Sequence, residues 1–259
     1  MIQDSRKRIQ DNYSYKWIGD TLPMIFQSQK LGIGLLVASV IGTTSYLIQP
    51  LPSLAQAEAT SGRCIPNIPT GRVKCDYNNG DSYIGNFLNG LPNGTGVYVY
   101  DDRNRYEGQF RKGLPNGRGV FIFLNDARIE GVFQDGKIRF GTAIFTNGDR
   151  YIGPFDIERR IGTPSGRGQF IFANGDRFQG EFVGGHPLGN GTFTRPDGTR
   201  CQGQFYSDEL DARGICTFAN GIRYEGELRK GLPHGKGTIV DANGKRFPGI
   251  FRDGQRIEQ

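Results

Sequence analysis

The sequence is poor in the residues that carry catalysis and metal binding. It has two histidines and four cysteines among 259 residues. No carboxylate or cysteine recurs beside His186 or His234, and no serine stands in a nucleophile-elbow motif. A Cys-x-x-Cys redox motif is absent, and the cysteines are not clustered as zinc ligands are. We therefore expect no enzyme active site, metal, cofactor or small-molecule substrate.

A strong excess of either charge is also missing. From residue 58 onward the chain has 27 lysines and arginines against 23 aspartates and glutamates. A dedicated nucleic-acid binder normally carries a larger basic excess, so we expect no nucleic-acid partner.

Glycine is abundant, with 40 residues, and it recurs at a fixed period. Five of the seven steps between successive copies of one motif are 23 residues, one is 22 and one is 27. A period in this range is typical of repeat proteins, whose units bury apolar surface only against their neighbours. The copies begin at Tyr83, Tyr106, Ile129, Tyr151, Phe178, Cys201, Tyr224 and Phe247.

Within a copy, apolar and polar residues alternate as they do in a β-strand. In the segment 105–110, Tyr106, Gly108 and Phe110 share one face of the predicted strand. The segment 113–117, Gly-Leu-Pro-Asn-Gly, is predicted to turn the chain, and 119–123 to form a second strand. Each copy is therefore predicted to be a β-hairpin that pairs with the next. The structural positions are clearest at Tyr83, Gly85, Phe87, Tyr106, Gly108, Phe110, Tyr224 and Gly226.

The repeated pattern Tyr-x-Gly-x-Phe-x-x-Gly-x-x-Asn-Gly-x-Gly resembles that of MORN-repeat proteins and covers roughly residues 71–254. The resemblance implies an all-β, open and twisted antiparallel sheet of about eight stacked hairpins, with no attached catalytic domain. It assigns 83–254 to the repeats and 255–259 to a tail, and the positions of Cys64 and Cys75 predict that 58–82 form a capping half-repeat. Two copies depart from the pattern: the third opens with Ile129 and is one turn residue shorter, and the fourth gains four residues around 157–164. The insertion is either a contact loop or a tolerated one.

Residues 1–57 lack the repeat pattern. Basic residues are spread over 1–30, an uncharged apolar run covers 31–48, and Ala55-Gln-Ala57 forms a small-x-small site before Glu58. This order is typical of an export signal cleaved after Ala57, although the run also has the minimum length of a helix retained as a membrane anchor. Both alternatives place the repeats outside the cytoplasm, secreted, periplasmic or tethered by residues 31–48.

The cysteines support export. Cys75 and Cys216 occupy equivalent positions, each eight residues before a repeat start, and Cys64 and Cys201 stand correspondingly before them. Four cysteines allow three connectivities, of which this equivalence favours Cys64–Cys75 with Cys201–Cys216. Disulfides of this kind are typical of an oxidising, extracytoplasmic compartment.

An arginine immediately precedes seven of the eight repeat starts. With two strands per unit, these residues are predicted to form a row spaced by ~10 Å. The row is either a binding site for an anionic surface or an exposed ion-pair ladder with the glutamates that lie two residues on. The seven are Arg105, Arg128, Arg150, Arg177, Arg200, Arg223 and Arg246.

The function that the resemblance implies is scaffolding, through a protein partner or a homodimer in which a second copy covers the apolar face. Binding of anionic lipid through the arginine row is an alternative. A third hypothesis is that the repeated tyrosines and phenylalanines stack on cell-wall glycans. The aromatic face is also the only core that such a sheet has, which favours a structural role for these rings.

Overall fold

A computed structural model describes residues 62–156, 162–207 and 209–257. All regular elements in these ranges are β-strands, which confirms the all-β prediction. The leader at 1–57, with its apolar run at 31–48, lies outside the described residues, as does most of the insertion at 157–164.

Eighteen strands follow one another at short intervals. They are β1 (Gly62–Ile65), β2 (Gly71–Tyr77), β3 (Ser82–Leu88), β4 (Leu91–Val99), β5 (Arg105–Arg111), β6 (Leu114–Ile122), β7 (Arg128–Gln134), β8 (Lys137–Ile144), β9 (Arg150–Pro154), β10 (Gly166–Ile171), β11 (Arg177–Val183), β12 (His186–Thr194), β13 (Arg200–Phe205), β14 (Ala212–Thr217), β15 (Arg223–Arg229), β16 (Leu232–Val240), β17 (Arg246–Arg252) and β18 (Gln255–Ile257).

Each strand pairs antiparallel with the next strand along the chain, from β1–β2 to β17–β18. The result is one antiparallel sheet of successive hairpins, as the repeat pattern predicts. Within the described part of the chain the two ends of this sheet, β1 and β18, each have a single strand neighbour.

The predicted position of the turn within each unit is wrong. The chain reverses at Lys112 and Gly113, where φ is 51° and 84°, and Leu114 already begins β6. Two central residues with positive φ form the tight turn that matches the twist of paired strands. The register then shifts between Gly108 and Phe110, so that a β-bulge takes up the extra residue. The Pro-Asn-Gly segment is therefore part of a strand.

Glycines line up in a column that crosses the sheet. Gly85 lies opposite Gly96, which lies opposite Gly108 on its other side, and the same pairing recurs along the chain. The column consists of Gly85, Gly96, Gly108, Gly119, Gly131, Gly141, Gly153, Gly168, Gly180, Gly191, Gly203, Gly214, Gly226, Gly237 and Gly249.

A tyrosine ring lies flat over this column in four of the units. The ring of Tyr106 covers Gly108 and Gly119, so that a Cβ on Gly119 would overlap the ring. Its O–H donates to the carbonyl of Gln109 at 3.1 Å, in the bulge where the strand ladder is interrupted. The equivalent bonds run from Tyr83 to Asn86 (2.9 Å), from Tyr151 to Pro154 (2.8 Å) and from Tyr224 to Glu227 (2.8 Å). The tyrosine thus supplies the core of its unit and a partner for its bulge.

The aromatic rings also connect neighbouring units. The ring centroid of Tyr106 lies 4.9 Å from that of Phe133, in the next unit, with the two planes at 75°. Tyr83 with Phe110, Tyr151 with Phe182, Phe178 with Phe205 and Tyr224 with Phe251 form the equivalent pairs, all edge to face. Such pairs add about 0.5–1.5 kcal/mol to the burial of the rings.

The core face is covered by the chain itself. Tyr83, Tyr106, Tyr151 and Tyr224 are each 0 % exposed in a single copy. A second copy is therefore not needed to bury these rings, because each ring is enclosed by its own glycines and by a phenylalanine of its own chain. A homodimer remains a prediction.

Both predicted disulfides, Cys64–Cys75 and Cys201–Cys216, are present. Cys201 and Cys216 lie opposite each other on β13 and β14, in the same row as Phe193 and Tyr224. Each pair therefore replaces a cross-strand contact between large side chains on the core face, as the repeat equivalence predicts.

The turns are linked by a second set of hydrogen bonds. The N–H of Gly113 donates to the carbonyl of Pro92 in the preceding unit at 2.9 Å, and Gly136 donates to Pro115 in the same way. Beyond the insertion, Gly185 donates to Pro164, which also bridges Phe155. The four extra residues therefore leave the repeat connection intact on either side.

We expect Gly119→Ala to destabilise the fold by about 2–3 kcal/mol, because the added methyl group overlaps the buried Tyr106 ring and Gly119 does not need a positive φ. Urea unfolding measures this cost. In a Tyr106→Leu background the same substitution should cost less than half as much.

The matched control is Gly90→Ala. No atom lies within 4 Å of a Cβ at Gly90, and its φ is 78°, so only backbone strain of about 1 kcal/mol is expected. Equal costs at Gly90 and Gly119 would contradict the role given to the ring.

We also expect the fold to lose stability at alkaline pH. Burial raises the pKa of Tyr77 and of Tyr224 to about 12, and it raises the pKa of Tyr83, Tyr106 and Tyr151 further. Above the usual phenol pKa of about 10 the unfolded chain loses protons that the folded chain retains, so the free energy of unfolding falls as pH rises. The urea midpoint should drop between about pH 9 and about pH 11, and drop less in Tyr224→Phe. A constant midpoint would contradict the burial of these phenols.

Candidate functional site

The face of the sheet opposite the aromatic core, here called the outer face, carries the predicted arginine row. All seven arginines are exposed and lie in register on alternate strands. A β-branched residue separates each neighbouring pair of arginines, a feature that sequence reasoning missed. These residues are Ile122, Ile144, Ile171, Thr194, Thr217 and Val240.

Both ends of the row are neutralised by glutamates. Arg105 contacts Glu107 with an N–O distance of 2.7 Å, and Arg128 contacts Glu130 at 2.6 Å. At the other end Glu225 lies between Arg246 (2.7 Å) and Arg223 (3.5 Å). The hydrogen bond from Arg246 holds the pKa of Glu225 below its ordinary value. These exposed pairs form the ion-pair ladder that is the second interpretation of the arginine row, and exposed pairs of this kind contribute little to stability.

The middle of the row is different. Arg150, Arg177 and Arg200, here called the central arginine stripe, are followed two residues on by Ile152, Gln179 and Gln202 rather than by glutamate. Among the described residues, no carboxylate lies within ion-pair distance of these three guanidinium groups.

Asp149 and Asp176 each directly precede an arginine of the stripe, but neither forms an ion pair with it. Asp149 accepts a hydrogen bond from the N–H of Ala173 at 2.8 Å and a second from the side chain of Asn147 at 2.8 Å. Asp176 is buried and accepts a hydrogen bond from the side chain of Asn174 at 2.9 Å. Both carboxylates are therefore used to order the hairpin turns.

Apolar side chains are also exposed on the outer face. Val132 on β7 lies opposite Phe140 on β8, and these residues are 47 % and 54 % exposed. The third unit is one turn residue shorter, and its register shifts between Val132 and Phe133. The sequence signals the shorter turn but not which face Phe140 occupies.

A groove opens near the C-terminal end of the sheet. Its volume is about 1030 Å³, and its polar lining includes Arg213, Lys236 and Arg256 together with Glu225. Arg256 donates to the carbonyl of Pro248 at 2.8 Å, and Glu225 is already paired. The groove therefore presents cations and backbone rather than a nucleophile with a base.

In the ranges that the structure describes, no three histidine, cysteine or carboxylate side chains are placed to hold a metal ion. His234 lies at the surface with its Nδ1 3.6 Å from Asp253. Those ranges also contain no helix that is both long and apolar enough to span a membrane.

The glycan hypothesis required exposed rings, and the proposed rings are enclosed. Tyr83, Tyr106, Tyr151 and Tyr224 are fully buried, and Phe87, Phe110, Phe133, Phe155, Phe182 and Phe205 are at most 8 % exposed. A buried ring offers no face on which a sugar can stack, so the aromatic core is not the glycan site that the third hypothesis describes.

A family model described as MORN repeat matches residues 83–105, 106–128, 160–177, 178–200, 201–223 and 224–246, which is just over half of the chain. The chain therefore belongs to the MORN repeat family, a family of non-catalytic repeat scaffolds. Five of the six matches begin at predicted repeat starts. The copies predicted at Ile129 and Phe247 lie outside the matched residues, although β7, β8 and β17 continue the same sheet.

A search of curated proteins found no match. Among solved structures, the chain is similar to the SAS-4 (dCPAP) TCP domain of Drosophila melanogaster, determined in complex with a proline-rich motif of Ana2 (dSTIL). The identity is 13 %, the TM-score is 0.38, and the match covers 83 % of this chain and 99 % of that one. It is also similar to the wild-type TCP10 domain of Danio rerio CPAP, with 17 % identity, a TM-score of 0.38 and coverage of 73 % and 95 %. At these scores the likeness carries no argument about function.

Proposed function

We propose that this chain is a non-enzymatic scaffold that binds a protein partner on the outer face of its sheet. The observation that carries the proposal is the contrast between the two faces. The aromatic rings are buried by packing within the chain, whereas most side chains of the outer face are exposed or half-buried on successive strands. It exposes Val132 on β7 and Phe140 on β8, and Phe140 lies opposite Pro154 on β9, the strand on which the central arginine stripe begins.

An outer face of this kind suits protein recognition. Stable interfaces bury about 800 Å² on each partner and combine apolar contacts with a polar rim. The exposed apolar pair on β7 and β8 and the arginines and glutamines on β9 to β13 supply both kinds of contact. Homodimerisation through this face is one form of the proposal, and the test below separates it from binding to another protein by the mass of the adduct.

We further propose that the scaffold works on the outer side of the cytoplasmic membrane. Two disulfides are typical of proteins that fold in an oxidising compartment. The basic, apolar and small-x-small order of residues 1–57 supports export, either with cleavage after Ala57 or with residues 31–48 retained as a tether.

Binding of anionic lipid through the arginine row is the second candidate function. The observation that favours it is the absence of ion-pairing carboxylates around Arg150, Arg177 and Arg200 among the described residues. Cations without partners attract anionic head groups, and that attraction weakens with salt.

Site-specific photocrosslinking in the native host tests the scaffold proposal. A photoreactive phenylalanine analogue is placed at Gln202 or Phe140 on the outer face, and at Asn243, which is exposed in the turn between β16 and β17. We expect one discrete protein adduct from the two outer-face positions and none from Asn243. No protein adduct at either outer-face position, together with co-sedimentation of the protein with anionic vesicles, would overturn the scaffold in favour of lipid binding.

A further inference from the structure

We infer that the partner of the central arginine stripe is an extended acidic polypeptide whose carboxylates recur at every third residue. This inference rests on the proposed scaffold function and names the chemistry of the partner. Its basis is the spacing of three cations, the residues between them and the twist of the strands that hold them.

The spacing sets the period of the partner. Arg150, Arg177 and Arg200 lie on β9, β11 and β13, in register and two strands apart. Strands are separated by about 4.8 Å, so consecutive guanidinium groups originate about 10 Å apart. A polyproline II chain has three residues per turn with a rise of about 3.1 Å per residue, which places every third side chain on one side at about 9 Å. A β-strand places every second side chain on one side at about 6.7 Å, which does not match the stripe.

The residues between the arginines suit a polypeptide. Ile171 lies directly between Arg150 and Arg177, and Ile144 lies on the other side of Arg150. Both isoleucines are half-buried and offer apolar contact to the residues that separate the acids. A chain with an acid at every third residue and apolar residues between the acids complements this order, whereas a uniformly anionic polysaccharide leaves the isoleucines unmatched.

Amide side chains run beside the stripe. Gln179 and Gln202 stand two residues after Arg177 and Arg200, where Glu107, Glu130 and Glu225 stand in other units. Gln169 lies opposite Gln179 on the neighbouring strand β10. An amide both donates and accepts hydrogen bonds. A polyproline II segment makes no hydrogen bonds within its own backbone, so its free carbonyl and N–H groups find partners in this glutamine row.

The twist of the sheet favours a chain over a flat surface. Adjacent strands rotate by about 20–25° relative to each other, so the four steps from β9 to β13 turn the three arginines through roughly 80–100°. A planar membrane contacts fewer of these three guanidinium groups at once than an extended chain does, and a straight acidic helix follows them less closely. An extended chain can bend along the row and contact each guanidinium in turn.

The test is fluorescence anisotropy with the full-length, disulfide-bonded protein and labelled synthetic peptides. The probe peptide contains four copies of Asp-Pro-Val. One control has the same composition with all its aspartates in one block, and the other contains Asn-Pro-Val. Vesicles of phosphatidylcholine with phosphatidylglycerol test binding to anionic lipid, and alginate tests binding to an anionic polysaccharide.

Two triple variants with equal changes in charge locate the site. The first is Arg150→Gln, Arg177→Gln and Arg200→Gln in the central arginine stripe. The matched variant is Arg105→Gln, Arg128→Gln and Arg223→Gln, in which every removed arginine had a glutamate partner. All six replaced arginines are exposed, and exposed glutamines already stand on β11 and β13 at Gln179 and Gln202, so both variants are expected to fold.

We expect the period-three peptide to bind more tightly than the blocked and neutral peptides. The stripe variant should lose about tenfold in affinity, because three exposed ion pairs multiply to roughly that factor, and the matched variant should lose less than about threefold. Equal affinity for the period-three and blocked peptides, or equal losses in the two variants, would overturn the inference and leave general charge attraction.

Binding to vesicles or alginate in preference to the peptide, with loss only in the stripe variant, would also overturn it and assign the stripe to that anion. The failure of the scaffold itself would look different. Outer-face crosslinks to a protein without peptide binding would retain the scaffold and reject the acidic period-three partner, whereas absence of both would reject the scaffold too.

Discussion

The structure depends on the contact between a flat tyrosine ring and a pair of glycines on neighbouring strands. One sheet has no second layer against which to bury its apolar side chains, yet the described part of this chain buries them in a single copy. It does so because the glycine column leaves the backbone bare, and Tyr106 or its equivalent lies directly on that backbone. The core of these units is therefore only one ring thick, and a side chain as small as a methyl group beneath the ring has no room.

From this contact the other features follow in order. The tyrosine O–H satisfies the carbonyl in the bulge, which allows Pro-Asn-Gly to continue as strand, and the next unit supplies a phenylalanine against the ring edge. Each unit thus interacts mainly with its neighbours, as in other repeat proteins. This locality explains why the extra residues between Phe155 and Pro164 leave the ladder intact. The packing of the repeats also does not use the centre of the outer face, where Arg150, Arg177 and Arg200 are exposed.

Much of the fold could be predicted from the sequence, because the same residue pattern occurs in every copy of the repeat. The period and the alternation of apolar residues predict the hairpins and which residues face the core. The equivalence of Cys75 with Cys216 predicts both disulfides. The turn was misplaced because Pro-Asn-Gly favours turns in isolation, whereas here the bulge and the Gly113–Pro92 hydrogen bond hold it in a strand. The burial of the core within one chain was not predicted. The alternation of apolar and polar residues tells which face a ring occupies, but not that the ring lies over the glycine backbone. The arginine row was visible, but its β-branched separators depend on the cross-strand register, which the wrong turn position obscured.

The most direct test of this account is the chemical shift of the glycine α-protons in the folded, oxidised protein, measured by proton–carbon correlation NMR. Protons beneath an aromatic ring face are shifted upfield by the ring current. Gly96, Gly119 and Gly237, which lie under Tyr83, Tyr106 and Tyr224, should be shifted clearly upfield, whereas Gly90, Gly221 and Gly244, which have no atom within 4 Å of a Cβ position, should have ordinary shifts. Ordinary shifts for both sets would show that the rings do not lie on the glycine column and would contradict the central claim.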